Sequence, residues 1–246
     1  MIKHVELKRN NGEVIRGYLT DHEKSKLIVI MFHGFTGNKT EHAGHFRNFS
    51  RVLLKNKISS IRFDFYGNGE SDGEFKDFTF DTLIDDSEQI IQYAKTNFSN
   101  KSIVLLGYSM GGAVTAMMAV KHPEIENIIL WSPAGNILNI IKKYYEDYPK
   151  NEDGNIIMNS SFELSKEMYE SVSKYDTYNG FDEYLGNVLI IQGEKDLAVK
   201  PEVSKKFHEL TKNSKYIMIP CAGHGYDKIQ ERDILYRESL KFLEER

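Results

Sequence analysis

A serine between glycines is the clearest candidate for chemistry in this sequence of 246 residues. Segment 107–112 reads Gly-Tyr-Ser-Met-Gly-Gly, and it separates an apolar run that predicts a β-strand from a run that predicts a helix. A serine on so sharp a turn stands at a helix N-terminus, where developing negative charge is stabilised. Side chains at Gly107 and Gly111 would collide with neighbouring backbone. We therefore expect Ser109 to be a nucleophile, and a tight structural turn is the alternative.

A serine hydroxyl is a weak nucleophile unless a base takes its proton. Of the eight histidines, His224 lies between two glycines in a loop after the last predicted strand, where an imidazole can stand free. Asp196 follows the strand predicted at 188–191, in the place where a carboxylate partner of that imidazole is expected. Glu194 is the nearest rival, and it fits better as a hydrogen-bond acceptor within its own loop.

The oxyanion formed by nucleophilic attack on a carbonyl also needs hydrogen-bond donors. One expected donor is the backbone N–H of Met110, directly after the serine. The other is the N–H of Phe35, in a loop where Gly34 allows close approach of the backbone. His33 is predicted to brace this loop through side-chain hydrogen bonds rather than to react.

Apolar runs that alternate with helical patterns predict an α/β fold with a mostly parallel sheet of about eight strands. The predicted strands are 3–8, 13–20, 27–32, 58–63, 102–106, 128–131, 188–191 and 215–219. The predicted helices lie near 46–54, 83–94, 113–120, 203–210 and 234–243. Asn10-Asn11-Gly12 joins the first two strands and is typical of a hairpin, which predicts an antiparallel pair at the sheet edge.

The stretch 133–186 is too long for an ordinary strand-to-strand crossover, so we expect an inserted lid within a single domain that covers 1–246. This stretch holds seven of the 14 tyrosines. The spacing of Leu164, Met168 and Val172 predicts an amphipathic helix. Tyrosines suit a hydroxylated aromatic ligand, whereas packing of the lid onto the sheet is the plainer interpretation.

The composition excludes several classes of protein. The formal net charge of −4, from 32 Lys and Arg against 36 Asp and Glu, leaves no basic footprint for nucleic acid. A single cysteine excludes an internal disulfide and a multi-cysteine metal site. No apolar segment resembles a signal peptide or reaches the roughly 20 residues of a membrane span. We expect a cytoplasmic protein that binds a small molecule, and a homodimer is compatible with the sequence.

Segment 64–73 is rich in turn formers and acids, a composition that also occurs at phosphate and metal sites. It lacks a following Gly-Lys-Ser/Thr, and its acids do not have the spacing of a calcium loop. We interpret it as a structural loop near the site.

Taken together, these motifs resemble the α/β-hydrolase superfamily over most of the chain. The resemblance is carried by segments 33–37, 64–73, 107–112 and 131–134 and by the loops around Asp196 and His224. The chain order serine, aspartate, histidine is also that of the superfamily. Within it, the sequence is similar to small bacterial carboxylesterases that include cinnamoyl and feruloyl esterases. Two departures are Met110, where those esterases often have glutamine, and a lid that matches poorly.

The resemblance implies hydrolysis of carboxylic esters without metal or organic cofactor, with an acyl pocket shaped by the lid. It also offers Tyr169 as a candidate substrate contact. Other activities with the same triad stay open: a monoacylglycerol lipase, an acyl thioesterase, or a serine aminopeptidase or amidase. For an aminopeptidase, lid acids could supply the amine pocket: Asp147, Glu163, Glu167 and Glu170. A non-catalytic ligand receptor with this fold is the alternative outside enzymes.

Overall fold

The computed structural model describes residues 1–158 and 162–245. Residues 159–161 of the predicted lid and residue 246 lie outside the described part. The strands are β1 (Ile2–Lys8), β2 (Val14–Thr20), β3 (Leu27–Phe32), β4 (Ser59–Phe63), β5 (Ser102–Tyr108), β6 (Asn127–Trp131), β7 (Ile156–Met158), β8 (Phe162–Leu164), β9 (Asn187–Gly193) and β10 (Ser214–Ile219). The α-helices are α1 (His45–Lys55), α2 (Phe80–Asn97), α3 (Met110–Lys121), α4 (Ile137–Asp147), α5 (Lys166–Val172), α6 (Pro201–Leu210) and α7 (Ile229–Glu244).

Eight of these strands form one sheet in the order β1-β2-β4-β3-β5-β6-β9-β10. The pairs β1–β2 and β2–β4 are antiparallel, and the strands from β4 to β10 pair in parallel. This confirms the predicted mostly parallel sheet with an antiparallel pair at one edge. Since the parallel strands share one direction, the loops at their carboxyl ends gather along a single edge of the sheet.

Helices cover both faces of the sheet, and the apolar sequence of β3 shows why. Its side chains alternate between two hydrophobic cores. Ile28, Ile30 and Phe32 pack in the core that includes residues of α2, α3 and α6. Val29 and Met31 pack on the opposite face with residues of α1 and α7. A strand buried on both faces needs apolar residues throughout, as the sequence predicted.

The residues between β6 and β9 contain α4, the antiparallel pair β7–β8 and α5; we call residues 133–186 the β6–β9 insertion. The helix predicted around Leu164 begins only at Lys166, because Leu164 lies in β8 and Ser165 has an extended backbone (φ −73°, ψ 156°). Apolar spacing alone could not place that boundary. None of the helices in the described residues is long and apolar enough to cross a membrane.

Candidate active site

Four loops at the carboxyl ends of the parallel strands bring the predicted site residues to one edge of the sheet. Phe35 follows β3, Ser109 follows β5, Asp196 follows β9 and His224 follows β10. A cavity of about 460 Å³ opens there, and its wall includes Phe35, Ser109 and His224. Residues distant in the sequence therefore meet at one cavity.

Ser109 occupies the sharp turn between β5 and α3, with a backbone φ of 55° and ψ of −118°. Such a conformation is strained for a residue with a side chain, and it persists only where the surrounding structure enforces it. An added Cβ on Gly107 would lie 2.0 Å from the Gly111 carbonyl oxygen, and one on Gly111 would lie 2.0 Å from the Phe32 carbonyl oxygen. The glycines thus let β3, β5 and α3 approach closely enough to form the turn.

The imidazole of His224 is joined to the carboxylate of Asp196 by a hydrogen bond of 2.7 Å between Nδ1 and Oδ2. Asp196 is almost fully buried, and its Oδ1 accepts the N–H groups of Ala198 and Val199. Burial alone would raise the pKa of Asp196, but the hydrogen bond and the charge interaction with His224 keep that pKa below its usual value. A charged Asp196 holds the proton on Nδ1, which leaves Nε2 as the basic atom.

Three aromatic residues hold the His224 loop in place. The Tyr108 ring stacks on the His224 ring at 5.1 Å between centroids, and its hydroxyl donates to the His224 carbonyl oxygen at 2.7 Å. His45 Nε2 lies 2.7 Å from the Gly225 carbonyl oxygen. The buried Tyr226 donates its hydroxyl to the Ile191 carbonyl oxygen. These contacts fix the imidazole beside the turn that carries Ser109.

No hydrogen bond joins His224 to Ser109 within residues 1–158 and 162–245, whereas His224 and Asp196 are bonded. The Ser109 side chain also makes no capping bond to α3. In enzymes without bound substrate the bond from nucleophile to base is often long and tightens only with substrate. The Ser109 hydroxyl and the His224 imidazole therefore lie at the same cavity without a hydrogen bond between them.

The backbone N–H groups of Phe35 and Met110 have no backbone acceptor among the described residues. An added Cβ on Gly34 would lie 3.3 Å from the Ser109 Cβ, so the loop after β3 passes close to the nucleophile turn. Two such donors beside a candidate nucleophile are what an oxyanion hole requires.

Two side chains brace the loop that carries Phe35. His33 is fully buried; its Nδ1 donates to the Gly34 carbonyl oxygen at 2.9 Å, and its Nε2 accepts the Phe65 N–H at 3.1 Å. Burial lowers the pKa of His33 to about 4, so the ring is neutral and bracing, as predicted. Glu41 accepts the Gly34 N–H at 2.7 Å and the His42 N–H at 2.9 Å, and burial raises the pKa of its carboxyl group.

Sequence reasoning missed Glu41, Tyr108 and the pair formed by His42 and Asp227. His42 Nε2 lies 2.6 Å from Asp227 Oδ1, and this contact links the loop after β3 to the loop of His224. All four residues line the cavity. Only Tyr108 carried a signal, since it belongs to the serine motif; the others depend on how the loops fold against each other.

The β6–β9 insertion reaches the site through aromatic contacts. Tyr144 of α4 stacks on Phe35 with ring centroids 5.9 Å apart, and the Phe75 ring lies 5.6 Å from the same Phe35 ring. Tyr169 packs against Tyr145 at 5.5 Å and is not among the residues that line the cavity. Groups of three or more His, Cys, Asp or Glu side chains suited to a metal are absent from the described part of the chain.

Two family models match more than half of the chain each. Residues 23–151 match the model described as serine aminopeptidase S33, and residues 88–227 match that of the BAAT / acyl-CoA thioester hydrolase C-terminal region. Among solved structures, Est1E from Butyrivibrio proteoclasticus with bound ferulic acid superposes with a TM-score of 0.84 and 26% identity, covering 97% of this chain and 99% of that one.

Curated relatives match over shorter stretches. Human monoglyceride lipase is 27% identical over 110 residues, which is 44% of this chain and 35% of the relative. Protein phosphatase methylesterase 1 from Candida albicans is 30% identical over 113 residues, which is 46% of this chain and 30% of the relative. The chain thus spans about a third of the length of these relatives. The family models and the architecture agree, and this chain belongs to the α/β-hydrolase superfamily, in the family described as serine aminopeptidase S33.

Proposed function

We propose that the protein is a serine hydrolase that cleaves carboxylic esters through an acyl-enzyme on Ser109. The observation that carries the proposal is the hydrogen bond of 2.7 Å from His224 to the buried Asp196, at a cavity whose wall also holds Ser109. A base held by a carboxylate supplies what a serine hydroxyl lacks. The open N–H groups of Phe35 and Met110 supply the donors for the oxyanion.

In the proposed reaction, Ser109 Oγ attacks the ester carbonyl carbon while His224 Nε2 takes the hydroxyl proton. The carbonyl oxygen becomes an oxyanion between the two N–H groups. The intermediate collapses when its bond to the alkoxy oxygen breaks, and His224 returns the proton to the departing alcohol. Water then attacks the acyl-enzyme with the same proton transfers, which releases the carboxylic acid and restores Ser109.

We propose that the β6–β9 insertion acts as the lid and shapes the acyl pocket. The stack of Tyr144 on Phe35 supports this role, since Phe35 is both a cavity residue and a proposed oxyanion donor. Aromatic side chains there favour an apolar or aromatic acyl group. The ferulic acid bound to Est1E makes hydroxycinnamate esters the first substrates to examine. We also propose that Tyr169, which packs against Tyr145, contacts substrates that are large enough to extend beyond the cavity.

A thioester or a monoacylglycerol is the second candidate substrate, favoured by the match to the acyl-CoA thioester hydrolase model and by the similarity to monoglyceride lipase. An aminopeptidase activity has less support. The lid acids suggested for its amine pocket are not among the cavity residues: Asp147, Glu163, Glu167 and Glu170. The acids that do line the cavity are engaged, Glu41 by two backbone N–H groups and Asp227 by His42.

A hydrolysis screen tests the proposal. It compares p-nitrophenyl esters of increasing acyl length, methyl hydroxycinnamates, a monoacylglycerol, an acyl thioester and aminoacyl anilides, each with wild-type protein and Ser109→Ala. We expect ester hydrolysis that falls by several orders of magnitude in the variant while its circular dichroism spectrum is unchanged. Near-full ester hydrolysis by Ser109→Ala would contradict the proposed nucleophile, and faster turnover of anilides than of esters would contradict the proposed substrate class.

A further inference from the structure

A second cavity, lined by arginines, lies at the edge of the sheet opposite β10. It has a volume of about 310 Å³ and lies between β2, β4 and α1. Its wall includes Arg47 and Arg51 of α1, Arg62 of β4, and Tyr18 and Thr20 of β2. None of its described lining residues also lines the Ser109 cavity.

Two residues that line this cavity, Thr20 and Arg62, have buried polar atoms with unused hydrogen-bonding capacity. Arg62 is only 5% exposed, and its Nη1 donates to the Lys39 carbonyl oxygen at 2.7 Å. Among the described residues, its Nε is buried without a hydrogen-bond partner, and so is the hydroxyl oxygen of the 1% exposed Thr20. A buried donor without an acceptor is costly, and each such group in a folded protein calls for an explanation.

The positive charge of the cavity is also unbalanced. Neither Arg47 nor Arg51 forms an ion pair with a carboxylate in the part of the chain that the structure describes, whereas Arg9, Arg16 and Arg237 do. Asp64 acts on Arg62 at a distance, but its two oxygens are bonded to the backbone N–H and to Nζ of Lys39. The chain as a whole is acidic, yet the described lining of this cavity holds three arginines and no carboxylate.

Burial of Arg62 carries an electrostatic cost. Burial lowers the pKa of Arg62 to about 10; Tyr18 and Asp64 oppose this shift, while the charges of Arg47 and Arg51 add to it. The Tyr18 ring lies 5.2 Å from the guanidinium and compensates part of the cost. A bound anion would compensate the rest.

We propose that this cavity is a binding site for a phosphate group, either inorganic phosphate or the phosphate of a small organic monoester. Guanidinium groups match the oxygens of phosphate in a bidentate geometry, and three of them suit a doubly charged anion better than a single carboxylate. The Thr20 hydroxyl supplies a further donor. The site is concave and contains a buried arginine, which distinguishes it from a chance cluster of surface lysines and arginines.

The two sources of phosphate differ in what fills the rest of the cavity. Inorganic phosphate would contact only the arginines and the hydroxyl. A monoester would also place its organic part against the Tyr18 ring. The affinity for glycerol 3-phosphate relative to inorganic phosphate therefore tells which source the site favours.

Isothermal titration calorimetry on the full chain tests the site, with inorganic phosphate and then glycerol 3-phosphate as ligands at constant ionic strength set with sodium chloride. The key variant is Arg47→Gln combined with Arg51→Gln, because both side chains are exposed and their replacement leaves the core unchanged. The control is Arg237→Gln, which removes an exposed guanidinium that is paired with Glu238. Circular dichroism verifies that each variant is folded.

We expect saturable binding of one phosphate per chain, weakened about tenfold for each arginine removed and unchanged in the control. Tighter binding of glycerol 3-phosphate would identify an organic monoester as the preferred source, and equal or weaker binding would identify inorganic phosphate. Absence of saturable binding of both ligands, or equal affinity of the wild type and the double variant, would overturn the proposal. The readout is heat of binding, so it does not depend on the proposed esterase activity.

Discussion

Replacement of Asp196 by Asn tests how the proposed base works. Asp196 accepts two backbone N–H groups at Oδ1, and at Oδ2 it accepts His224 Nδ1 at 2.7 Å and Gln192 Nε2 at 3.1 Å. If the amide oxygen keeps the two backbone donors, the new NH₂ group faces His224 Nδ1. That nitrogen must then be unprotonated, and the ring proton moves to Nε2. The base therefore loses its ability to accept the Ser109 proton.

The expected loss of kcat can be estimated from enzymes in which an aspartate holds the base in the same way. In serine proteases the equivalent change leaves the structure intact and lowers kcat by about 10⁴-fold. We expect a similar loss of kcat here, with KM close to that of the wild type because Asp196 does not line the cavity. The variant also brings the new NH₂ group against Gln192 Nε2, donor against donor, which we expect to lower the free energy of unfolding by about 1–3 kcal/mol.

The assay is steady-state hydrolysis of p-nitrophenyl butyrate, with kcat and KM measured separately. The matched control is Glu194→Gln, since Glu194 lies in the same loop but accepts the Cys221 N–H at 2.8 Å and not the imidazole. We expect the control to keep kcat within about threefold of the wild type, as for changes away from a site's key contacts. A folded Asp196→Asn protein with kcat within tenfold of the wild type would refute the proposed role of Asp196.

Three further predictions concern the surroundings of the nucleophile. Glu41→Gln replaces one of the two carboxylate oxygens by an NH₂ group, which would then face the Gly34 N–H, donor against donor. The loop that carries Phe35 should lose its brace, so kcat for p-nitrophenyl butyrate should fall about 10–100-fold. An unchanged kcat would contradict the bracing role of Glu41. Gly111→Ala places a Cβ against backbone atoms and should prevent labelling of Ser109 by a fluorophosphonate. Gly223→Ala is the control, because a Cβ there meets no described atom within 4 Å, and Ser109 should be labelled normally. Equal labelling of the two variants would contradict the steric argument. The His33 pKa is lowered to about 4 by burial, so the unfolded chain binds this proton near pH 6.5 and the folded chain only near pH 4. The free energy of unfolding should therefore fall by about 3 kcal/mol as the pH decreases from 6.5 to 4, measured by urea unfolding. In His33→Asn this part of the pH dependence should be absent.

Much of the scaffold could be predicted because its signals are local. The central parallel strands β3, β5, β6 and β9 contain apolar runs. The serine turn has a steric demand that only glycine meets at Gly107 and Gly111. The sheet order positions the rest, since residues after parallel strands meet at one edge. This is why Ser109, Asp196 and His224 could be singled out although they are far apart in the sequence.

The remainder depends on packing between segments, which leaves little trace in the sequence. Helix α4 and the pair β7–β8 lie in the β6–β9 insertion, where tyrosines and short strands give no clear hydrophobic periodicity. Glu41 looks like any surface acid until the loop after β3 folds around its carboxylate. The contact of 2.6 Å between His42 and Asp227 joins residues 185 positions apart, so neither neighbourhood predicts it.

The most direct measurement of the central claim is a crystal structure of the protein after reaction with a fluorophosphonate. We predict a phosphorus atom bonded to Ser109 Oγ, His224 Nε2 within hydrogen-bond reach of that site, and the phosphonyl oxygen about 2.7–3.1 Å from the N–H groups of Phe35 and Met110. An adduct on another residue, or His224 directed away from the modified serine, would contradict the claim that these side chains act together.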